Sequence, residues 1–376
     1  MSDAATSDPS SAIAGAEIRL PTQDLKDDLP FYTKQLGFRL DSIFPADDPA
    51  VAVLSGHGVC IRLERGAPEA PGTLRLLCHD PASFAGGALE LTAPNGTRIE
   101  LVDADPPMVM PETQHAFVVR RLQDKSPWVI GRAGMHYRDL IPDRLGGSII
   151  ASHIRIPDGG PVPDMVHYHT VGFQLIFCYK GWVRLVYEDQ GPPFILGAGD
   201  CVIQPPEIRH RVLESSDDLQ VIEIGVPAEH VTTIDHEMDL PNGTVNPDRE
   251  FQGQRFCHHK VAEATWGPWR LSGFEARDTG ISGATKGVAG VEVAKFKGNG
   301  AAPPVTSHGT DILFSFVMDG TMTLAGEGRE PQDLTAGDAF VIPPGMKTEY
   351  RSCSGDLELL EVSLPGAVET TVHDAL

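Results

Sequence analysis

The feature that most constrains this chain is an internal repeat. At an offset of 139 residues, Gly134, Arg138 and Asp139 map onto Gly273, Arg277 and Asp278, and the same shift carries Gly159 to Gly298, His169 to His308, Gly181 to Gly320 and Glu188 to Glu327. Between residues 188 and 199 the register slips by one, and at an offset of 138 Gly199-Asp200 maps onto Gly337-Asp338, Pro205 onto Pro343, Glu223 onto Glu361 and Pro227 onto Pro365. Two homologous units, roughly 127–230 and 268–366, account for these matches, so whatever fold one unit adopts the other must share.

Each unit has the texture of short strands. The first carries SIIASHIRI, QLIFCYKGWVRLVYE and CVIQPP; the second carries GVEVAKF, ILFSFVMDGTMTLAG and AFVIPPG. β-rich runs broken by Gly and Pro predict a sandwich or barrel. In the first unit, His167 and His169 alternate along a strand and therefore address one point. Gln174 begins the next strand, and His210 follows a Pro205-Pro206 turn that would bring its imidazole back to the first pair.

The spacing H-x-H-x4-Q-x6-G followed by G-x5-P-x4-H resembles the two signature motifs of the cupin superfamily, framed by Gly160, Gly181, Gly199 and Pro205. The resemblance implies a mainly β chain with two tandem cupin (double-stranded β-helix) barrels. It also implies one divalent transition metal held by His167, His169, Gln174 and His210. Glu207 stands where the second motif usually has Gly, and Gln174 where the first usually has Glu. An amide for a carboxylate leaves a more positive, more Lewis-acidic centre. Imidazole-rich sites suit Fe, Mn, Ni, Cu or Zn without distinguishing them.

The second unit is an internal control. Its equivalents of His167, His169, Gln174 and His210 are Thr306, His308, Leu313 and Thr348, so only one imidazole remains and the barrel is expected to be structural, packing against the first. His153 and Arg155 share one face of the strand before H-x-H and are candidate catalytic residues, with an exterior face equally open. The recurring Arg138-Asp139 and Arg277-Asp278 read as a shared structural ion pair, Tyr168 as outward-facing, and Cys257-His258-His259 as a solvated linker.

Residues 16 to 103 differ in texture. A strand, a helix through LPFYTKQLG with Leu29, Phe31, Tyr32 and Leu36 apolar, and further strands form a small α+β βαβββ pattern. It resembles a module of the vicinal-oxygen-chelate (glyoxalase) superfamily. That resemblance marks Glu17 and Glu100 as the positions matching metal-binding carboxylates, with no histidine to accompany them. The following half, with its helix reduced to PASFAGG, is too short for a full second module, and a binding or oligomerisation role is expected.

The predicted limits are a disordered tail over 1–14, the βαβββ module over 15–105, the metal-binding barrel over 106–245 and the degenerate barrel over 246–376. A formal charge of -22 with no basic stripe argues against nucleic acid as a partner. Six cysteines without a CxxC pattern read as reduced thiols and a cytoplasmic setting, and the polar start MSDAATSDPSSA as neither signal nor membrane anchor. The function expected is a metal-dependent enzyme chelating a small oxygen-rich organic substrate through two oxygens, with a non-haem dioxygenase favoured. A sugar-acid or keto-acid isomerase or hydrolase, and a non-catalytic binding barrel, remain open. The resemblance to cupins, whose barrels commonly dimerise through edge strands and large apolar faces, implies a homodimer.

Overall fold

The computed structural model describes residues 15–45, 48–124, 128–298 and 303–376; the tail expected over 1–14 lies outside them. The chain divides into two units, Met1–Pro107 and Met108–Leu376.

In the first unit, strand Ile18–Thr22 leads into helix Leu25–Pro30, which Asp24 caps by accepting from the Lys26 N–H at 2.9 Å and which continues as a wider π turn over Phe31–Gln35. Strands Arg39–Phe44, Val51–Gly56 and Val59–Arg65 follow, and the last returns to lie parallel to the first, with Ile18 opposite Ile61. This is the expected βαβββ order. The next stretch makes only three strands, Thr73–Cys78, Glu90–Thr92 and Arg98–Asp103, around a single helical turn at Pro81–Phe84. Both sheets share one core that includes Leu20, Tyr32, Leu54, Ile61, Leu76 and Ile99. Glu17, just ahead of the first strand, and Glu100, in the second sheet, each lie beside an arginine: Arg62 at 3.8 Å and Arg98 at 3.3 Å.

The second unit holds two barrels, each a pair of sheets. In the first, Phe173–Lys180, Leu219–Val226 and Ile150–Ile156 form the centre of a seven-stranded sheet. Opposite it, Trp182–Tyr187, His210–Ser215 and His167–His169 form the second sheet. The second barrel repeats this plan with Ile312–Asp319, Glu358–Leu364 and Gly290–Phe296 facing Thr321–Gly326, Thr348–Arg351 and Val305–His308. The outer faces of the two seven-stranded sheets merge in one apolar cluster, where Phe173, Leu175 and Ile222 join Phe314, Phe316 and Val362. Period-2 alternation explains this: odd positions of Phe173–Lys180 face the partner barrel, even positions face inward.

The barrels also exchange strands. Val118–Arg120, ahead of the first barrel, pairs with Ala339–Val341 of the second, and Cys257–His259, ahead of the second, pairs with Cys201–Ile203 of the first. The triplet Cys257-His258-His259 is therefore a half-buried strand and not a solvated linker, and the sheets cross the boundary expected between 245 and 246. Positions 118 and 257 are themselves 139 residues apart, so the repeat begins earlier than the sequence matches showed.

The recurring arginines belong to this exchange. Arg138 donates to the Gly337 carbonyl of the second barrel at 2.5 Å, and Arg277 donates to the Gly199 carbonyl of the first at 2.8 Å. Neither forms the expected pair with its neighbouring aspartate. Asp139 sits 3.5 Å from Arg144 and Asp278 accepts from the Gly280 N–H. The reason is alternation again: adjacent residues of a strand point to opposite faces.

Candidate metal centre

His167 and His169 project inward from one short strand, and the ladder sets His167 directly opposite His210 on the next. The turn that delivers His210 holds Glu207 at φ 64, a left-handed conformation that the equivalent Gly345 also adopts at φ 77. The Glu207 N–H bonds the His169 carbonyl at 3.0 Å, so the departure from Gly keeps the turn and accepts a strain of about 1–2 kcal/mol. Tyr168 points the other way, under the guanidinium of Arg209.

One nitrogen of each of the three imidazoles lies within 4.8 Å of the others. Each ring is oriented through Nδ1, which lies 2.8 Å from the Met165 carbonyl in His167, 2.9 Å from the Ile208 carbonyl in His210 and 2.9 Å from the Thr232 hydroxyl in His169. Carbonyls only accept, so Nδ1 carries the proton in His167 and His210 and Nε2 keeps its lone pair. Burial, reinforced by neighbouring positive charge, pulls all three imidazoles below their ordinary range, His169 to about 2. They are neutral at physiological pH, the state a metal requires.

Gln174 is buried on strand Phe173–Lys180 of the facing sheet and donates from Nε2 to Glu223 at 2.6 Å, which leaves its Oε1 buried without a partner. An orphaned amide oxygen in the same barrel interior as three neutral imidazoles fits a cation. Glu223 itself lines the cavity, and burial raises its carboxyl against the bond from Gln174. The carboxylate missing from the first motif thus stands one strand away.

Arg132, from the short turn between strands Val129–Ile130 and His136–Asp139 at the edge of the seven-stranded sheet, places Nη2 3.0 Å from His167 Nε2. Its Nη1 pairs with the buried Asp164, which also accepts from the Val212 N–H at 2.9 Å. His230 packs edge-on against His169 with its Nδ1 on the Pro227 carbonyl, and Tyr187 stacks on His210 while accepting from Gln204 at 2.9 Å. The cavity measures about 470 Å³.

His153 and Arg155 do not join this site. On strand Ile150–Ile156 the even positions line the cavity, and the odd ones face away. His153 is buried against Trp128, Tyr179 and Phe316 at the junction of the barrels, while Arg155 is half-exposed and paired with Asp218. Arg132, Asp164 and His230 escaped the sequence reading because loops carry no periodicity. Glu223 had a signal, its recurrence as Glu361.

The second barrel is plugged where the first is hollow. Phe274, Phe340 and Tyr350 replace Met135, Val202 and Val212, and the fellow of Glu223, Glu361, is ion-paired with Arg270 at 2.8 Å. Its His308 bonds the Ile342 carbonyl.

Comparison with known proteins agrees with this architecture. The cupin domain model matches residues 152–225 and 293–363. Among solved structures, a mutant form of Bacillus subtilis oxalate decarboxylase superposes with a TM-score of 0.51 and 13% identity, covering 70% of this chain and 81% of that one. Salicylate 1,2-dioxygenase from Pseudaminobacter salicylatoxidans superposes with a TM-score of 0.52 and 14% identity, covering 70% and 90%. No curated protein sequence matches. Both barrels match the cupin domain model, and the chain shares the two-barrel fold of these neighbours.

Proposed function

We propose that the first barrel is the centre of a metal-dependent enzyme, in which His167, His169 and His210, with the Gln174 amide oxygen, hold one divalent transition metal from the set Fe, Mn, Ni, Cu and Zn. The observation that carries this reading is the convergence of three neutral, pre-oriented imidazoles on one point, in a barrel that also holds an unpartnered buried amide oxygen. Such an ion supplies Lewis acidity toward a chelating substrate and, if redox-active, a route to O2. The chain's own residues do the rest. Asp164 holds Arg132 at the edge of the triad, His230 packs edge-on against His169, and aliphatic side chains line the cavity beyond.

The reaction favoured is dioxygenation of a small oxygen-bearing organic molecule bound through two oxygens. Support comes from the salicylate dioxygenase among the structural neighbours, which is an analogy at the level of fold. Elemental analysis of purified protein beside His167→Ala tests the centre: close to one metal per chain is expected in the parent and a small fraction of that in the variant. Oxygen consumption during turnover tests the reaction, and turnover without it would assign the chain to the isomerases or hydrolases instead.

A further inference from the structure

We propose that the cavity takes a carboxylate attached to an apolar body, with Arg132 as the residue that selects the carboxylate; the inference rests on the metal reading above. The registers of the two sheets divide the cavity lengthwise. Ser152 is opposite Glu223 and His210 is opposite Tyr187, which makes one end polar. Toward the Gly181 turn the pairs become Ile154 with Val221, Ile156 with Leu219 and Leu185 with Val212, which makes the other end aliphatic.

At the polar end most groups already have partners. The Tyr187 hydroxyl accepts from Gln204, Glu223 accepts from Gln174, and His230 is tied to the Pro227 carbonyl. Among the described residues that line the cavity, Arg132 is the one with a permanent positive charge. Asp164 anchors its Nη1, while its Nη2 rests on His167 Nε2. That lone pair is the one a metal takes, so loading the triad deprives Nη2 of its acceptor and leaves a donor beside the centre. A carboxylate matches it in charge and in planar geometry.

The aliphatic end decides against two alternatives. A polyhydroxylated sugar acid would press unpaired hydroxyls against isoleucine, valine and leucine. A bare dicarboxylate such as oxalate would leave that end without contact. A volume of about 470 Å³ has room for a ring or a short branched chain beyond the carboxylate.

Calorimetric titration of zinc-loaded protein with benzoate, benzyl alcohol and oxalate tests this, with zinc content measured on the same samples. Benzoate is expected to bind at least about tenfold more tightly than either of the others, a gap of the size a charge-assisted hydrogen bond supports. Arg132→Ala is expected to weaken benzoate by about 10- to 100-fold, to leave benzyl alcohol unchanged and to keep its zinc. Arg132→Lys should recover part of the loss. Unchanged benzoate binding in a fully zinc-loaded Arg132→Ala protein overturns the inference alone, as does oxalate binding as tightly as benzoate. Failure of the parent protein to take up zinc or any other metal of the set overturns the metal reading and this inference together.

Discussion

At the scale of single residues, the centre depends on side chains that hold other side chains in place. Asp164 is buried and serves both Arg132 and the Val212 N–H, so Asp164→Ala leaves two donors without an acceptor. A loss of about 2–4 kcal/mol in denaturant unfolding is expected, and a loss below about 1 kcal/mol would mean that solvent replaces the carboxylate. Gln174→Leu imports the second barrel's own solution, Leu313, at a position where volume is nearly conserved. The variant should keep the circular dichroism of the parent and bind zinc about 10- to 100-fold more weakly. Equal zinc affinity would remove the amide from the donor set.

At the scale of elements, the exchanged strands and crossing arginines join the barrels twice over. Leu122 and Val261 occupy equivalent positions after the exchanged strands; their N–H groups bond Asp338 and Asp200, and their side chains lie against Gly337 and Gly199. At φ 95 and 89 those glycines hold a left-handed turn, and an added Cβ at Gly337 would come within 2.7 Å of Leu122. Arg138 is almost fully buried, and loss of hydration lowers its pKa to about 10. Arg138→Ala should cost about 2–4 kcal/mol through the orphaned Gly337 carbonyl and the space left behind. Arg138→Met fills the space without a buried charge and should be the milder of the two in urea unfolding. The reverse order would show that the charge itself holds the junction.

At the scale of the whole molecule, the junction of the barrels makes stability depend on pH through His153. Its Nε2 lies 2.9 Å from the Gln220 amide oxygen and its Nδ1 faces Arg138 at 3.3 Å, an arrangement that requires a neutral ring. Burial, then the charge of Arg138, lowers its pKa to about 4. An unfolded chain takes up this proton near pH 6.5 and the folded chain only near 4, so stability falls as pH drops through that window. The loss approaches about 3 kcal/mol at the acid end, and urea unfolding at about pH 7 and about pH 5 should show part of it. His153→Gln, which cannot be protonated, should reduce the acid sensitivity between those two values. No described helix is long and apolar enough to cross a membrane.

The repeat, the strand texture and the H-x-H spacing determined the two barrels, the three converging imidazoles and the loss of the second site, because each rests on alternation along a strand and that alternation is written in the order of residues. Gln174 was legible through its place in the H-x-H-x4-Q spacing. Alternation alone does not say which face is inward, and His153 was misread on that point: in a barrel whose outer sheet is covered by another barrel, both faces are buried and hydrophobicity no longer tells them apart. Only the tertiary structure decided that Arg138 and Arg277 reach across to the opposite barrel. It alone decided that Cys257–His259 completes the other barrel's sheet and that Arg132 arrives at the triad from a loop. These are contacts between residues far apart in the chain, and they depend on how closed surfaces meet in space.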